Sequence, residues 1–481
     1  MLNLLIFLPM VGGFLIWLLL RRSAGTARWA VLAVALVELV ICLKLWAAMG
    51  AGGFFDQVQT PWLPSLGVQY LLGMDGLSLV LALLTSVVTL GALLVAWNAV
   101  EDWAAFGALI LIAEGAIMGV LCALDLVLFY VFWEVMIVPI FFLAARRGAE
   151  ARQAAMRFFL FTIVGSLLML VSLVALYVLH GQATGEYTFD YFKLLHTPLG
   201  TQTSLWLMLG MLSAFAVKIP MFPLHLWAPD TYGRSEAPVS IMLAGAMANM
   251  GAYGVMRFCL PLFPAGAHVF APWGMALGAI GVVYAGLLAL VQNDLKRVIA
   301  YSSVSHMSLV VLGLFAWQRQ ALDGAVFLLL AHGLGVLGLF AVTAWIEARG
   351  RSMNLEEMGG WFKLMPRMGI LFLICLLAGV GLPGLANFVG EFMVLAGGVQ
   401  VDLAWSVVAA LGILVSVMYF LRAYERSMLG PLREETALAD LDVRETFVMG
   451  ATAVLLLWLG FFPQMFLSPI GTFTAALAQM H

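Results

Sequence analysis

The hydrophobic positions of this chain form long apolar runs that recur from one end to the other. Runs of about 20 apolar residues are long enough to cross the hydrocarbon core of a bilayer, and clusters of proline, glycine and charged residues separate them. The pattern predicts fourteen membrane-spanning helices, numbered here in chain order. They cover 2–20, 28–48, 75–98, 104–121, 125–145, 156–180, 204–223, 237–262, 272–292, 297–317, 322–347, 367–396, 404–428 and 443–466.

Composition supports this interpretation, because 64% of the residues are hydrophobic and only 10% are charged. We therefore predict an all-α membrane protein with no soluble domain of any size between the helices. The first apolar run has no basic segment before it and no clear cleavage site after it, so it is predicted to be a span and not a signal peptide. The sequence has no CxxC pair, no phosphate-binding loop and no haem-type histidine pair, and its four cysteines lack metal-ligand spacing.

Basic residues are distributed unequally between the two sides of the predicted bundle. Among the 23 lysines and arginines, only Lys44, Lys193, Arg257 and Arg319 lie near ends that follow even-numbered helices, and Lys218 lies within a span. Basic residues favour cytoplasmic loops, so both termini are predicted to face outward. The cytoplasmic set comprises Arg21, Arg22, Arg28, Arg146, Arg147, Arg152, Arg157, Arg234, Lys296, Arg297, Arg349, Arg351, Lys363, Arg367, Arg422, Arg426, Arg433 and Arg444.

The chain is organised around Lys218, which lies inside the apolar run of helix 7. Pro220 and Pro223 follow it, and proline breaks a helix because it removes a backbone hydrogen bond. An ammonium group at membrane depth costs about 2.5–3.5 kcal/mol on insertion scales, so such residues usually have a function. The stretch predicts an ion site lined by the backbone of a broken helix. The alternative is a lysine that snorkels from a helix end.

Glu134 lies near the middle of helix 5, where an unpaired carboxylate would bind a proton. We hypothesise that Glu134 forms an ion pair with Lys218 and that separating the two charges drives proton release from the lysine. The alternative is a static pair that fixes helix packing.

Two histidines and a third ionisable group follow in the second half of the chain. His306 in helix 10 and His332 in helix 11 are candidates for a proton relay, because histidine titrates near neutral pH. Glu391 lies in helix 12, which the segment GLPG (381–384) is predicted to break. Glu391 is predicted to load or release a proton. The alternatives are structural roles for the histidines and an interfacial position for the glutamate. Lys296 at the start of helix 10 is expected to snorkel.

A repeated arrangement organises these residues. Helices 4–8 and 9–13 would each hold one broken helix and one ionisable group in the membrane, and an odd number of helices per unit inverts the second copy. The predicted divisions are 1–103, 104–262, 263–428 and 429–481. Glu38 and Glu114 also lie within predicted spans, and they receive no role.

Several motifs resemble one known family, in order from about residue 70 to about residue 430. They are GMDGLSL, DLVLFYVFWE, KIPMFPLHLWAPD, LAGAMANMGAYG, LKRVIAYSSVSHM, LAHG and GLPGLANFVGEF. They resemble the antiporter-like membrane subunits of proton-pumping NADH–quinone oxidoreductase, respiratory complex I. The number of helices and the GEF motif favour its M-type chains over subunits of Mrp-type antiporters and membrane-bound hydrogenases.

The resemblance implies an enzyme subunit in a bacterial cytoplasmic membrane that translocates protons while partner subunits oxidise NADH and reduce quinone. It implies that NADH, FMN, iron–sulfur clusters and quinone are bound by partner subunits and that this chain binds no cofactor or metal. The implied partners are L-type and N-type antiporter-like chains, a small K-type chain and lipid, with no nucleic acid. The implied proton path comprises Glu134, Lys218, His306, His332 and Glu391.

Asn249 departs from the family pattern, which usually has a lysine at this position of helix 8. Asparagine orients water but does not titrate. The central link is therefore expected to involve water, His306 or a displaced group such as Glu114, or else this chain is less tightly coupled. Two alternatives to the main interpretation stay open, namely a subunit of a cation/proton antiporter and a structural membrane scaffold.

Overall fold

The computed structural model describes residues 1–50, 52–432 and 438–480, so Arg433 lies outside the described residues. Within them, twelve helices are long and apolar enough to cross a membrane, and the other two predicted spans are the broken helices α7 and α12. The helices are α1 (Leu2–Leu20), α2 (Ala24–Ala48), α3 (Gly76–Val95), α4 (Trp103–Cys122), α5 (Leu126–Ala144), α6 (Ala149–Thr184), α7a (Thr201–Lys218), α7b (Trp227–Arg234), α8 (Ala237–Leu262), α9 (Pro264–Val291), α10 (Leu295–Ala316), α11 (Arg319–Ala348), α12a (Pro366–Gly379), α12b (Ala386–Val399), α13 (Leu403–Met428), α14 (Val443–Phe461) and α15 (Gln464–Ala478).

Aspartate side chains begin many of these helices. An aspartate at the N-cap accepts a hydrogen bond from a backbone N–H that has no partner within the helix, and its charge suits the positive end of the helix dipole. Asp442 also forms a capping box with Glu445. The capping aspartates are Asp75, Asp102, Asp125, Asp294, Asp402 and Asp442.

The helix ends alternate between two faces, as the predicted helix count requires. On one face, which we call the hairpin face, Leu72 bridges Ala123, and Trp317 Nε1 donates to the carbonyl oxygen of Leu477 at 2.8 Å. On the other, the arginine face, Arg147 pairs with Glu347 at 2.8 Å. The segregation of basic residues therefore corresponds to two opposite ends of the bundle.

The apolar pattern did not predict two elements of the fold. A two-stranded antiparallel sheet, β1 (Phe55–Leu63) and β2 (Val68–Met74), occupies the predicted connection between α2 and α3. Gly67 closes its turn with φ +68°, a conformation that glycine adopts freely. Helix α14 ends at Phe461, earlier than predicted, and α15 follows it. The fold is helical in its membrane part with this hairpin added.

A buried ion pair fastens α8 to α3 near the hairpin face. Arg257 Nη2 lies 2.6 Å from Asp75 Oδ2, and the side chains are 1% and 7% exposed. The other oxygen of Asp75 accepts from the backbone N–H of Ser78. Arg257 Nε donates to the Tyr253 hydroxyl at 3.2 Å, and its guanidinium lies over the ring of Phe473 in α15. The pair thus joins a helix cap, a central helix and the C-terminal helix.

Candidate proton path

Helix 7 breaks immediately after Lys218, as the prolines predict. Helix α7a ends at Lys218 and α7b begins at Trp227. The break frees the carbonyl of Val217, which accepts a hydrogen bond from Trp227 Nε1 at 2.9 Å. Lys218 is fully buried, so it does not snorkel to either face.

Aromatic rings and a thioether surround the ammonium group of Lys218. Nζ lies 5.3 Å from the ring centroid of Trp133 and 5.5 Å from that of Phe158, distances at which ring faces attract cations. Nζ also lies 3.5 Å from Met247 Sδ. This soft environment offers the ammonium only weak partners.

The predicted ion pair between Glu134 and Lys218 is not formed. Lys218 has no salt bridge to any described carboxylate, although Glu134 acts on it electrostatically from a greater distance. Glu134 is half-buried, and its Oε1 is buried without a hydrogen-bond partner among the described residues. The ammonium instead contacts Met247 Sδ and the ring faces of Trp133 and Phe158.

Asn249 lies on α8, two residues beyond Met247. Its Nδ2 donates to the Gly245 carbonyl at 2.9 Å, and its Oδ1 is buried with no partner among the described residues. The turn before it, Leu243–Met247, is π-helical, and such turns are frequent at functional sites. Asn249 therefore presents an unused acceptor in the centre of the bundle.

Helix α8 crosses α11 at two glycines beside His332. A Cβ atom at Gly333 would lie 2.8 Å from the Gly245 carbonyl oxygen, so the backbones touch where neither residue carries a side chain. Gly245 is the residue to which Asn249 donates, and His332 precedes Gly333. The crossing therefore places the part of α8 around Asn249 next to His332 in α11.

The two histidines and Glu391 form one contact group. The rings of His306 and His332 stack with centroids 5.4 Å apart, and His332 Nε2 lies 2.9 Å from Ser303 Oγ. His306 Nε2 lies 3.5 Å from Glu391 Oε1, and both residues are at least 94% buried. The sequence predicted all three residues, and the structure brings them together.

His306 has an acceptor at each ring nitrogen. Nδ1 lies 2.8 Å from the carbonyl oxygen of Ser302, and Nε2 lies 2.9 Å from that of Gly379. Gly379 ends α12a, so the break in helix 12 frees the second carbonyl. A neutral imidazole carries one N–H and can donate to only one of them. The doubly protonated ring satisfies both, with Glu391 as its counter-ion.

The break in helix 12 also makes room for Glu391. Gly381 has φ +76°, and a Cβ atom there would overlap Glu391 Oε2. Gly381→Ala is therefore expected to be strained and to displace the carboxylate from His306, with a strong loss of proton pumping in the assembled complex. Gly430→Ala is the matched control, because Gly430 has φ +82° with open space around it. Equal pumping by the two variants would contradict this role of Gly381.

Comparison with known proteins identifies the family of this chain. Residues 123–418 match the family model described as NADH:quinone oxidoreductase/Mrp antiporter, transmembrane region. The chain belongs to this family. NADH-quinone oxidoreductase subunit M of Escherichia coli (strain K12) is 38% identical over 478 residues, which cover 96% of this chain and 94% of that protein. The predicted resemblance to M-type chains is confirmed.

Two solved structures show the same fold. A chain of respiratory complex I from Thermus thermophilus with bound NADH superposes with a TM-score of 0.92 and 30% identity, over 100% of this chain and 99% of that one. A chain of the Mrp complex from Dietzia sp. has a TM-score of 0.89 over 99% and 97% of the two chains. The latter is 20% identical, so the likeness concerns the fold alone.

In this chain, a cavity of about 350 Å³ lined by charged side chains opens at the arginine face. Arg234 pairs with Glu150 at 2.7 Å at its rim. Lys296 lines the cavity but is 1% exposed, and it donates to the carbonyl of Ser235. The expected snorkelling of Lys296 is therefore wrong, because α7b and α11 cover this side chain.

Their position within apolar runs led to the ionisable residues, and the family motifs matched them, but neither indicated their surroundings. Met247, Gly245 and Gly381 were not predicted as site residues. The sequence contained only weak indications of two of these positions, since Gly333, the contact of Gly245, follows His332, and Gly381 begins the GLPG segment. These residues act through backbone contacts between helices, which a linear sequence does not display.

Proposed function

We propose that this chain is the proton-translocating M-type membrane subunit of an NADH–quinone oxidoreductase. The observation that carries the proposal is the buried contact of His306 with Glu391 at the break in helix 12, stacked on His332. Buried ionisable groups within spans are costly and are retained for ion or proton movement. Family membership and the likeness to complex I chains support the same conclusion.

The path runs through the middle of the membrane, parallel to its plane. Lys218 holds a proton among aromatic rings and gives it up when the distant Glu134 charge is neutralised. Asn249 Oδ1 accepts a hydrogen bond from a water molecule that carries the proton towards His332, across the contact of Gly245 with Gly333. His332 passes it to His306, and Glu391 exchanges it with one side of the membrane.

Redox chemistry belongs to partner subunits in this proposal. NADH, FMN, iron–sulfur clusters and quinone are placed there, and this chain contributes only proton-binding residues. Its proposed neighbours are L-type and N-type antiporter-like chains and a small K-type chain. We further propose that the hairpin face, with both termini, lies on the outer side of a bacterial cytoplasmic membrane, because the basic residues gather at the opposite face. Two inverted units, 104–262 and 263–428, stay a prediction.

Glu391→Gln tests the proposal in inverted vesicles that contain the assembled complex and receive NADH. We expect proton pumping to be lost, because glutamine cannot exchange a proton with His306. Glu425→Gln is the matched control, since Glu425 is exposed at the arginine end of α13. Unchanged pumping in Glu391→Gln would refute a proton-carrying role and favour a scaffold. Activity that requires sodium ions and persists without NADH would favour an antiporter subunit.

A further inference from the structure

Two buried carboxyl groups lie outside the path described above. Glu38 in α2 and Glu114 in α4 are both 0% exposed. All four of their carboxyl oxygens are buried and have no hydrogen-bond partner of good geometry among the described residues. Neither residue forms a salt bridge to a described cation. Such groups are rare in proteins, because burial of an unpaired carboxylate is very costly.

Helix packing brings these two carboxyl groups to the same depth. Helices α2 and α4 run in the same direction, and Val31 packs directly on Gly107, where a Cβ atom would overlap it. Glu38 and Glu114 each lie seven residues further along, a rise of about 10 Å and nearly two turns. Glu38 therefore projects from the face of α2 that carries Val31, and Glu114 projects from the face of α4 that carries Gly107. The two residues lie at the same depth in the membrane. Glu114 acts electrostatically on Glu38, as this placement requires.

Small polar side chains connect the carboxyl pair to α3. Cys42, one turn beyond Glu38, lies 3.4 Å from Ser86 Oγ. Thr89, one turn further along α3, interacts with Glu114 through its hydroxyl. The same hydroxyl lies 3.6 Å from Met242 Sδ on α8, about two turns before Asn249. Thr89 is thus the bridge between the pair and the helix that lacks the family's lysine.

We propose that Glu38 and Glu114 form a proton-binding carboxyl pair that supplies α8 with the titratable group that Asn249 lacks. The site binds one exchangeable proton on either of the two carboxyl groups. Two fully buried carboxyl groups at one depth that act on each other electrostatically do not both ionise in a low-dielectric interior, so the pair retains a proton. The Thr89 hydroxyl passes the proton to water that Asn249 Oδ1 binds beside α8, because a hydroxyl group both donates and accepts hydrogen bonds. This inference rests on the proposed function and extends it to a second proton site.

A second-site rescue separates this role from a structural one. Glu114→Gln in the assembled complex is expected to lower the number of protons pumped per NADH, whereas Glu101→Gln, an exposed control, is expected to leave it unchanged. Asn249→Lys added to Glu114→Gln is expected to restore the ratio, because it places a titratable group directly on α8. A packing defect in α4 would not be repaired by a lysine on another helix.

The outcomes are distinct. Unchanged pumping in Glu114→Gln, or a loss that Asn249→Lys does not rescue, overturns the proposal. If Glu114→Gln fails to assemble, Glu38→Gln with and without Asn249→Lys decides in the same way. Infrared difference spectra of the turning-over wild-type complex are also expected to contain a protonated-carboxyl band, and its absence overturns the proposal. Lys218→Ala measured in parallel reports on the proposed function itself, since unaffected pumping there would refute the whole path.

Discussion

Lys218→Ala is expected to abolish proton pumping while the complex still assembles. Lys218 is fully buried, and among the described residues its ammonium contacts Met247 Sδ and two aromatic faces and forms no salt bridge, although Glu134 acts on it electrostatically. A methyl group in its place removes the proton carrier, and loss of a positioned proton-transfer group slows a step by about 10²-fold or more. The measurement is NADH-driven acidification of inverted vesicles together with NADH–quinone activity, both of which are expected to fall because they are coupled.

Lys363→Ala is the matched control for this experiment, because Lys363 is exposed at the arginine face. It removes the same charge from the same chain without touching the path. Full pumping in Lys218→Ala at wild-type assembly would show that the lysine serves packing alone. The subunit would then be a scaffold within its complex.

Asp75→Asn is expected to cause the largest loss of stability. The substitution keeps a good N-cap residue on α3 but leaves Arg257 buried at 1% exposure without its counter-ion. Loss of one partner of a buried pair costs about 3–5 kcal/mol. The amount of this subunit in membranes and the thermal dissociation of the purified complex are the measurements. Lys193→Ala is the control, because its pair with Glu186 is exposed and such pairs contribute at most about 1 kcal/mol.

The double variant Asp75→Asn with Arg257→Met sharpens this test. Removal of both charges eliminates the unpaired buried guanidinium, and apolar replacement of a whole buried pair is often neutral or stabilising. We therefore expect the double variant to assemble better than Asp75→Asn. A double variant that is less stable than either single variant would indicate that the cap and the ring contacts of Arg257 matter more than the charge.

The sequence predicted the membrane architecture well because its signals are local. A span is a run of apolar residues, so the run alone shows that Leu126–Ala144 is a helix. Pro220 has no backbone N–H to donate, so the break after Lys218 could be predicted from the residues next to it. A lysine within an apolar run is visible without any structure. The hairpin and α15 were missed because no long apolar run marks them: β1 and α15 are mostly not buried, and the buried strand β2 has only seven residues.

Only the tertiary structure decided which ionisable groups meet. Glu134 and Lys218 carry opposite charges and were predicted to pair, yet the ammonium contacts Met247 Sδ and the ring faces of Trp133 and Phe158. His306 and Glu391 are separated in the chain by all of α11 and α12a, and the packing of α10 against the break in helix 12 joins them. Pairing depends on helix crossings and on which face each helix turns inward, and these are set by contacts between distant residues such as Gly245 and Gly333. Sequence alone therefore determined the spans, the breaks and the identity of the buried charges, whereas packing determined their partners.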